Sequence, residues 1–144
     1  MTSEQLFSLA STAAMVGWAC LLLSPRHRLV IAGLRYGLVG GLALTYAVLI
    51  ALYFFRIAGG GFGSIAEVRA LFLSDGGLLA GWIHYLAFDL FVGMWIATEA
   101  DKAGVSRWLQ APMLVATFLF GPIGLLLFFA TQMILTPNAM KTGA

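Results

Sequence analysis

Long apolar stretches separated by short polar segments dominate the sequence, and four of them have the length of a membrane-spanning helix. A bilayer core of about 30 Å requires roughly 20 mostly apolar residues in a helix. The stretches comprise residues 5–23, 29–55, 78–98 and 112–135. Their apolar residues run continuously instead of alternating as in a membrane β-strand, and a helix satisfies its own backbone in lipid. The pattern predicts an all-α membrane protein, residues 1–144, with a single domain of four transmembrane helices.

Turn-forming residues separate these stretches. A turn at residues 24–28 ends the first stretch, and the consecutive glycines at 59–61 end the second, because glycine carries a high entropy cost in a helix. Residues 64–73 then begin with a capping-box pattern from Ser64 to Glu67 and continue with apolar residues at helical spacing. We expect a short interfacial helix here, with its apolar side in the headgroup region. An ordinary ordered loop is the alternative.

The composition agrees with a membrane protein. Hydrophobic residues make up 61% of the chain and charged residues only 10%, whereas a soluble domain is about half apolar and a quarter charged. The mean hydropathy is +0.96. A single Cys excludes a disulfide scaffold, and a net charge of +2 without a long basic cluster excludes a nucleic-acid-binding protein.

The loop charges indicate an orientation in the membrane. Five loop cations lie on one side and three on the other, namely Arg26, Arg28, Arg35, Lys102 and Arg107 against Arg56, Arg69 and Lys141. Four spans place both termini on the same side, and because cytoplasmic loops carry an excess of Lys and Arg, the charges favour the side outside the cytoplasm. Glu4 precedes the first stretch without any Lys or Arg, so the cationic segment of a signal peptide is missing. We therefore expect a retained first helix in a bacterial inner (cytoplasmic) membrane.

The third stretch carries two polar residues at membrane depth. Asp89 lies near its middle, where an Asp costs on the order of 2.5–3.5 kcal/mol on insertion scales, so it should face the bundle interior and have a partner. His84 precedes it by five residues, which turn a helix by about 140°, so the two residues need partners from other helices. Tyr85 shares the face of Asp89. Purely structural contacts are the alternative to a catalytic role for both residues.

Depth matching between antiparallel neighbours indicates residues that approach this helix. Tyr46 should lie near the depth of His84, and Arg35 and Tyr36 near the depth of Trp95. Arg35 can either extend to the membrane interface or reach inward to a carboxylate.

The fourth stretch contains a helix-breaking pair near the depth of Asp89. Pro122 has no N–H, so the carbonyl of Phe118 loses its helical donor, and Gly121 precedes the proline. A freed carbonyl opposite a carboxyl group predicts a polar pocket at this depth.

Two further patterns bear on ligands and packing. The two His and the single Cys are scattered over different segments, so the sequence predicts no metal site. Gly33, Gly37 and Gly41 repeat at four-residue spacing. This small-residue face can pack within the bundle or across a dimer, and we expect the former.

Several segments resemble one known family. His84 is followed after four residues by Asp89-Leu90-Phe91 within residues 81–93, and this run resembles the signature of the abscisic-acid-deficiency-four-like family, whose plant members are neoxanthin synthases. Residues 62–72 are similar to the family's preceding loop, and Arg107, Pro112 and residues 120–126 to its last helix. Met94 stands where family members often carry Arg, so a cation that could pair with Asp89 is absent at that position.

The resemblance implies an isomerase that converts the epoxycarotenoid violaxanthin, or another carotenoid or isoprenoid, into an allene without a cofactor. Asp89 would accept a proton or organise the site, His84 would donate a proton, and Tyr85 or Tyr46 would assist at oxygen; acid and base can also be exchanged. The expected substrate groove is lined by Tyr46, Trp82, Phe88, Phe91, Trp95, Phe118 and Phe120, with polar support from Arg35, Tyr36, Gly121 and Pro122.

Two other functions stay open at this stage. The chain can be a non-catalytic pigment- or lipid-binding accessory subunit of a membrane complex, or, as a third hypothesis, an oligomeric transporter. The expected partners are the lipid bilayer, an apolar isoprenoid ligand, and a second copy or other membrane subunits, with no nucleic acid.

Overall fold

The computed structural model describes residues 1–135, which are helical and contain no strand. The helices are α1 (Ser3–Leu23), α2 (Arg28–Ala32), α3 (Gly40–Tyr53), α4 (Ile65–Leu73), α5 (Asp75–Lys102), α6 (Arg107–Phe120) and α7 (Pro122–Leu135). A π-helical segment, Gly33–Val39, connects α2 to α3, and a 3₁₀ turn, Phe54–Arg56, follows α3.

Within residues 1–135, three helices are long and apolar enough to cross a membrane: Ser3–Leu23, Arg28–Arg56 and Asp75–Lys102. They contain the first three predicted spans. The second is continuous from α2 through the π-helical segment and α3 to the 3₁₀ turn. The all-helical fold class is therefore confirmed, together with three membrane-spanning candidates.

Helix α4 lies where the short helix is predicted between the second and third spans. The hydroxyl of Ser64 accepts a hydrogen bond from the N–H of Glu67 at 3.2 Å, which caps the helix. The carboxylate of Glu67 accepts from the N–H of Gly63 at 2.8 Å, one residue earlier than the capping box requires. The helix therefore starts as the sequence predicts, with a variant of the expected cap.

The fourth predicted span is not a single helix. The chain breaks at Gly121, which has a φ of +48°, and α6 and α7 comprise 14 residues each. A 14-residue helix is about 21 Å long, shorter than the roughly 30 Å of a bilayer core. A count of four spans is therefore not confirmed. The expectation that both termini lie on the same side depends on a fourth crossing, so it is not supported either.

Helix α7 runs back along α6 after this break. A Cβ on Gly124 would lie 2.5 Å from the carbonyl oxygen of Met113, so α7 contacts the preceding helix closely. The break at Gly121 lies beside Asp89 of α5. Phe128, seven residues after the break, lies 5.3 Å from Trp95, which is six residues further along α5 than Asp89. Helix α7 therefore extends from the break toward the end of α5. We call α6 and α7 the re-entrant hairpin, because its tip lies at the middle of α5 and both helices extend toward the same end.

Helix α5 lies at the centre of the molecule and packs on α1, α3 and α6. One cluster of buried residues joins it to α1 and the re-entrant hairpin, and a second joins it to α1 and α3. The largest fully buried side chains are Phe128, Leu21, Ile83, Leu90, Met94, Ile96 and Leu114. A close approach of α1 is possible because the ring of Trp18 lies against Gly93, where a Cβ would overlap it.

The glycine face of the second span does not pack within the bundle. Gly33, Gly37 and Gly41 are exposed, and a Cβ on any of them would have no heavy atom of the described residues within 4 Å. The expectation of packing inside the bundle is therefore wrong. Gly37 and Gly41 instead line a cavity of about 220 Å³ between the second span and α1, while Leu34 and Leu42 are buried.

A polar cluster joins three helices at one end of the molecule. The guanidinium of Arg26, whose side chain is only 6% exposed, contacts Asp101 at 2.9 and 3.0 Å. Arg26 also donates to the side-chain oxygen of Gln110, which is fully buried. The amide of Gln110 donates to Asp101 at 2.8 Å and to the carbonyl of Val105 at 2.7 Å. These bonds tie the end of α1 to the end of α5 and the start of α6.

Candidate functional site

Asp89 lies against the tip of the re-entrant hairpin. A Cβ on Gly121 would stand 2.8 Å from Oδ1 of Asp89, so the carboxylate approaches the hairpin more closely than a side chain there would allow. Oδ2 of Asp89 is buried and has no hydrogen-bond partner within residues 1–135. A buried carboxylate oxygen without a partner costs free energy, and such groups in native proteins call for an explanation.

Tyr85 lies one turn before Asp89 and bonds to the same hairpin. Its hydroxyl donates to the carbonyl oxygen of Phe118 at 3.1 Å. This carbonyl is available because Pro122 has no N–H to donate to it. The ring of Tyr85 stacks on Trp82 at a centroid distance of 5.5 Å. The structure therefore assembles Asp89, Tyr85, Gly121 and the Phe118 carbonyl at one place, which we call the hairpin-tip site.

His84 lies on a different face of α5. Its imidazole stacks on Phe88 at a centroid distance of 4.5 Å and contacts the ring of Tyr46 at 5.4 Å in a tilted arrangement. The side chain is exposed, whereas Asp89 is half-buried on the side of the hairpin. His84 makes no hydrogen bond to the hairpin-tip site within residues 1–135, although it lies close enough to Asp89 for their charges to interact.

His84 and Tyr46 line a separate groove between the end of α3, α4 and the start of α5. Its volume is about 340 Å³, at the lower end of the range of roughly 300–1,000 Å³ for small-molecule sites. Most of the lining is apolar and aromatic, including Tyr53, Phe54 and Phe72. A groove of this size and composition suits one end of an apolar molecule.

The aromatic residues predicted to line one substrate groove are divided between several surfaces. Phe88, Phe91 and Trp95 follow His84 along one exposed face of α5. Phe120 is exposed at the hairpin tip, Phe118 packs on Trp18 at 5.5 Å, and the indole N–H of Trp82 donates to Ser11 at 3.0 Å. We call His84, Phe88, Phe91 and Trp95 the aromatic face of α5.

The predicted polar supports are also divided. Gly121 and Pro122 form the hairpin tip next to Asp89. Arg35 and Tyr36 instead line a cavity at the far end of the molecule, with Lys102 at the end of α5. They do not join the hairpin-tip site.

No group of three or more His, Cys, Asp or Glu side chains that could hold a metal ion occurs in residues 1–135. The chemistry available at the hairpin-tip site is proton transfer by a carboxylate and a phenol hydroxyl in apolar surroundings.

Comparison with known protein families shows which family the chain belongs to. The family described as ABA DEFICIENT 4-like matches residues 5–128. The chain belongs to this family. The match covers the hairpin-tip site, the groove and most of the re-entrant hairpin, and it confirms the resemblance seen in the sequence. No curated protein and no solved structure matches the chain.

Two sets of side-chain hydrogen bonds were not predicted from the sequence. One is the bond from Tyr85 to the Phe118 carbonyl, for which only the freed carbonyl could be derived. The other is the cluster of Arg26, Asp101 and Gln110. A polar Gln110 close to the start of an apolar stretch, with Arg26 after the end of the first span, was the available signal.

Proposed function

We propose that this chain is a membrane isomerase that moves a proton within an epoxycarotenoid or a related apolar isoprenoid. Membership of the ABA DEFICIENT 4-like family supports the substrate class, because the plant proteins that the chain resembles are neoxanthin synthases. The observation that carries the proposal is the carboxylate of Asp89, which meets the hairpin tip with one oxygen unpartnered in residues 1–135.

The proposed reaction rearranges an epoxide end group into an allene and a tertiary hydroxyl. A base takes the proton from the carbon next to the epoxide, and the electron pair of that C–H bond becomes the new double bond of the allene. The C–O bond to the adjacent carbon breaks, and an acid protonates the oxygen. The product has the same formula as the substrate, so neither an oxidant nor a reductant is consumed.

Asp89 suits the role of proton acceptor. Its Oδ2 is buried and has no donor within residues 1–135 that a substrate proton would have to displace. Apolar helices surround it, and a base held in a site without bulk water is positioned for general base catalysis. Interrupted helices at membrane depth are also typical of binding sites in membrane proteins.

Tyr85 is the proton donor in this proposal, because it shares the face of Asp89 and reaches the same hairpin. Its hydroxyl now donates to the Phe118 carbonyl at 3.1 Å, and a substrate oxygen would replace that carbonyl as acceptor. His84, which the resemblance places in the donor role, instead serves substrate binding with the rest of the aromatic face of α5. The conjugated chain of the substrate would lie along these rings.

A second candidate function is a pigment-binding accessory subunit without catalysis. The observation that favours it is the separation of His84 from Asp89 on α5, which leaves a stacked imidazole and exposed aromatic rings that can hold a polyene unchanged. Under this hypothesis the chain retains carotenoid during purification and does not alter it.

Expression in a host that makes violaxanthin separates the two functions. The isomerase proposal predicts a new allenic pigment of unchanged mass, identified by chromatography and mass spectrometry. The accessory hypothesis predicts bound violaxanthin only, and that result would overturn the isomerase proposal.

The same experiment includes a test of Asp89 as structural support alone. Asp89→Asn preserves the shape of the side chain and removes its negative charge. Because Oδ2 of Asp89 has no hydrogen-bond partner in residues 1–135, the variant should reach the membrane at the wild-type level. If Asp89→Asn disappears from the membrane, its role is structural and the catalytic assignment fails.

A further inference from the structure

A second cavity, of about 400 Å³, lies at the end of the molecule where α1 and α5 end and the second span begins. Its lining includes four cationic side chains, one carboxylate and one phenol, contributed by Arg26, Arg28, Arg35, Lys102, Asp101 and Tyr36. This is the opposite end of the second span from the groove that contains His84. We call it the arginine cavity.

The single carboxylate in the lining is neutralised by its neighbours. Asp101 accepts two contacts from the guanidinium of Arg26, at 2.9 and 3.0 Å, and a third from the amide of Gln110 at 2.8 Å. Arg26 is held by this cluster with a side chain that is 6% exposed. These groups therefore form a fixed wall of the cavity with no net charge.

Positive charge remains on the other side chains. Lys102 pairs with Glu99 at 2.7 Å, an exposed contact of the kind that contributes little. Arg28 and Arg35 are exposed and form no ion pair within residues 1–135. The cavity therefore presents two uncompensated guanidinium groups, which suit an anion with several acceptor oxygens.

The position along the second span indicates which anion fits. Arg28 is the first residue of this apolar helix, and Arg35 lies seven residues, or about two turns, further on. Ile31 and Ala32 stand between them and also line the cavity. Arg28 at the end of the apolar helix lies at headgroup depth, and the long side chain of Arg35 can extend toward it from about 10 Å further along the helix. The apolar residues beside them suit the start of an acyl chain.

We propose that the arginine cavity binds the phosphate of an anionic phospholipid, with Arg28 and Arg35 as the principal contacts and the hydroxyl of Tyr36 as a further donor. The site is separate from the hairpin-tip site and does not depend on the proposed isomerase activity.

Native mass spectrometry of the purified full-length chain in detergent tests this site. Wild-type protein is titrated with phosphatidylglycerol, with zwitterionic phosphatidylcholine and with inorganic phosphate. We expect phosphatidylglycerol to bind in preference to phosphatidylcholine, and inorganic phosphate not to displace it, because the phosphate alone lacks the apolar contacts.

The double variant Arg28→Gln/Arg35→Gln should bind phosphatidylglycerol about 25-fold more weakly, at roughly fivefold per cation near a membrane surface. The matched control Arg56→Gln/Arg69→Gln removes the same charge from the opposite end and should bind as the wild type does. Arg28→Lys/Arg35→Lys keeps the charge and should retain most of the binding. It also serves as the folded comparison if the glutamine variant is unstable.

Four results would overturn the proposal. The first is equal binding of phosphatidylglycerol by the wild type and by Arg28→Gln/Arg35→Gln. The second is equal binding of phosphatidylglycerol and phosphatidylcholine by the wild type. The third is an equal loss in the control variant, which would show that overall charge, not this cavity, governs binding. The fourth is displacement of the lipid by inorganic phosphate alone, which would identify a free-phosphate site.

Discussion

Gly121 determines how closely the re-entrant hairpin approaches Asp89. Its φ of +48° lies in a region that residues with a side chain rarely adopt, and a Cβ would stand 2.8 Å from Oδ1 of Asp89. Both the turn and the contact therefore require glycine. Pro122 follows, and its missing N–H leaves the Phe118 carbonyl to Tyr85.

The substitution Gly121→Ala should destabilise the protein by about 1–3 kcal/mol, because the backbone conformation becomes strained and the new methyl group pushes against Asp89. Thermal unfolding in detergent measures the effect. Gly33→Ala is the matched control, since that glycine starts the π-helical segment with ordinary helical backbone angles (φ −61°, ψ −44°) and open space beside it. It should leave stability unchanged or raise it slightly. Equal melting temperatures for the two variants would contradict the structure at the hairpin tip.

Part of the hairpin-tip site follows from the sequence by simple rules. The central position of Asp89 and the carbonyl freed by Pro122 both derive from helix geometry and the chemistry of proline. The donor to that carbonyl does not, because it depends on how α6 is rotated against α5. The angle between His84 and Asp89 about the axis of α5 could be predicted from their spacing. The contacts of His84 with Tyr46 and Phe88 could be identified only in the structure.

At the scale of elements, hydropathy identifies apolar segments without giving their direction. The first three spans follow from length and apolarity, and the structure has helices at all three. The same signal over residues 112–135 predicts a fourth span, yet Gly121 and Pro122 turn the chain back along α6. The reversal depends on packing, since Phe128 is buried among residues of α5 and α6. A hydropathy average over a segment of sequence contains no information about such tertiary contacts.

The cluster around Arg26 holds three helices together, and its loss should be costly. Arg26→Met should destabilise the protein by about 1–3 kcal/mol, because the side-chain oxygen of the fully buried Gln110 would lose its donor, whereas Asp101 is partly exposed and keeps the bond from Gln110. Thermal unfolding in detergent measures this. Arg56→Met is the control: the side chain is exposed and makes no ion pair within residues 1–135, so its effect should stay within about 0.5 kcal/mol. A loss for Arg26→Met no larger than that of the control would show that the cluster does not support the fold.

At the scale of the whole molecule, the re-entrant hairpin changes the expected topology. The three spanning candidates place the start of α6 at the opposite end from α4. Because α7 returns along α6, its end should lie on the same side as the start of α6. Four crossings would instead place the end of α7 on the side of α4.

Labelling of single cysteines tests this arrangement. In a chain with Cys20→Ala, we expect Trp108→Cys and Ile134→Cys to react with a membrane-impermeant maleimide from the same side, and Phe62→Cys from the other. All three positions are exposed. Reaction of Ile134→Cys together with Phe62→Cys would support four spans and contradict the hairpin.

The measurement that tests the central claim most directly uses purified protein and violaxanthin in detergent, with the wild type compared with Asp89→Asn. Asp75→Asn is the control, because it makes the same change at an exposed carboxylate at the start of α5. We predict that the wild type and Asp75→Asn form an allenic isomer of unchanged mass, and that Asp89→Asn forms it at least about 100-fold more slowly. Formation of the isomer by Asp89→Asn at the wild-type rate would contradict the assignment of Asp89 as the proton acceptor.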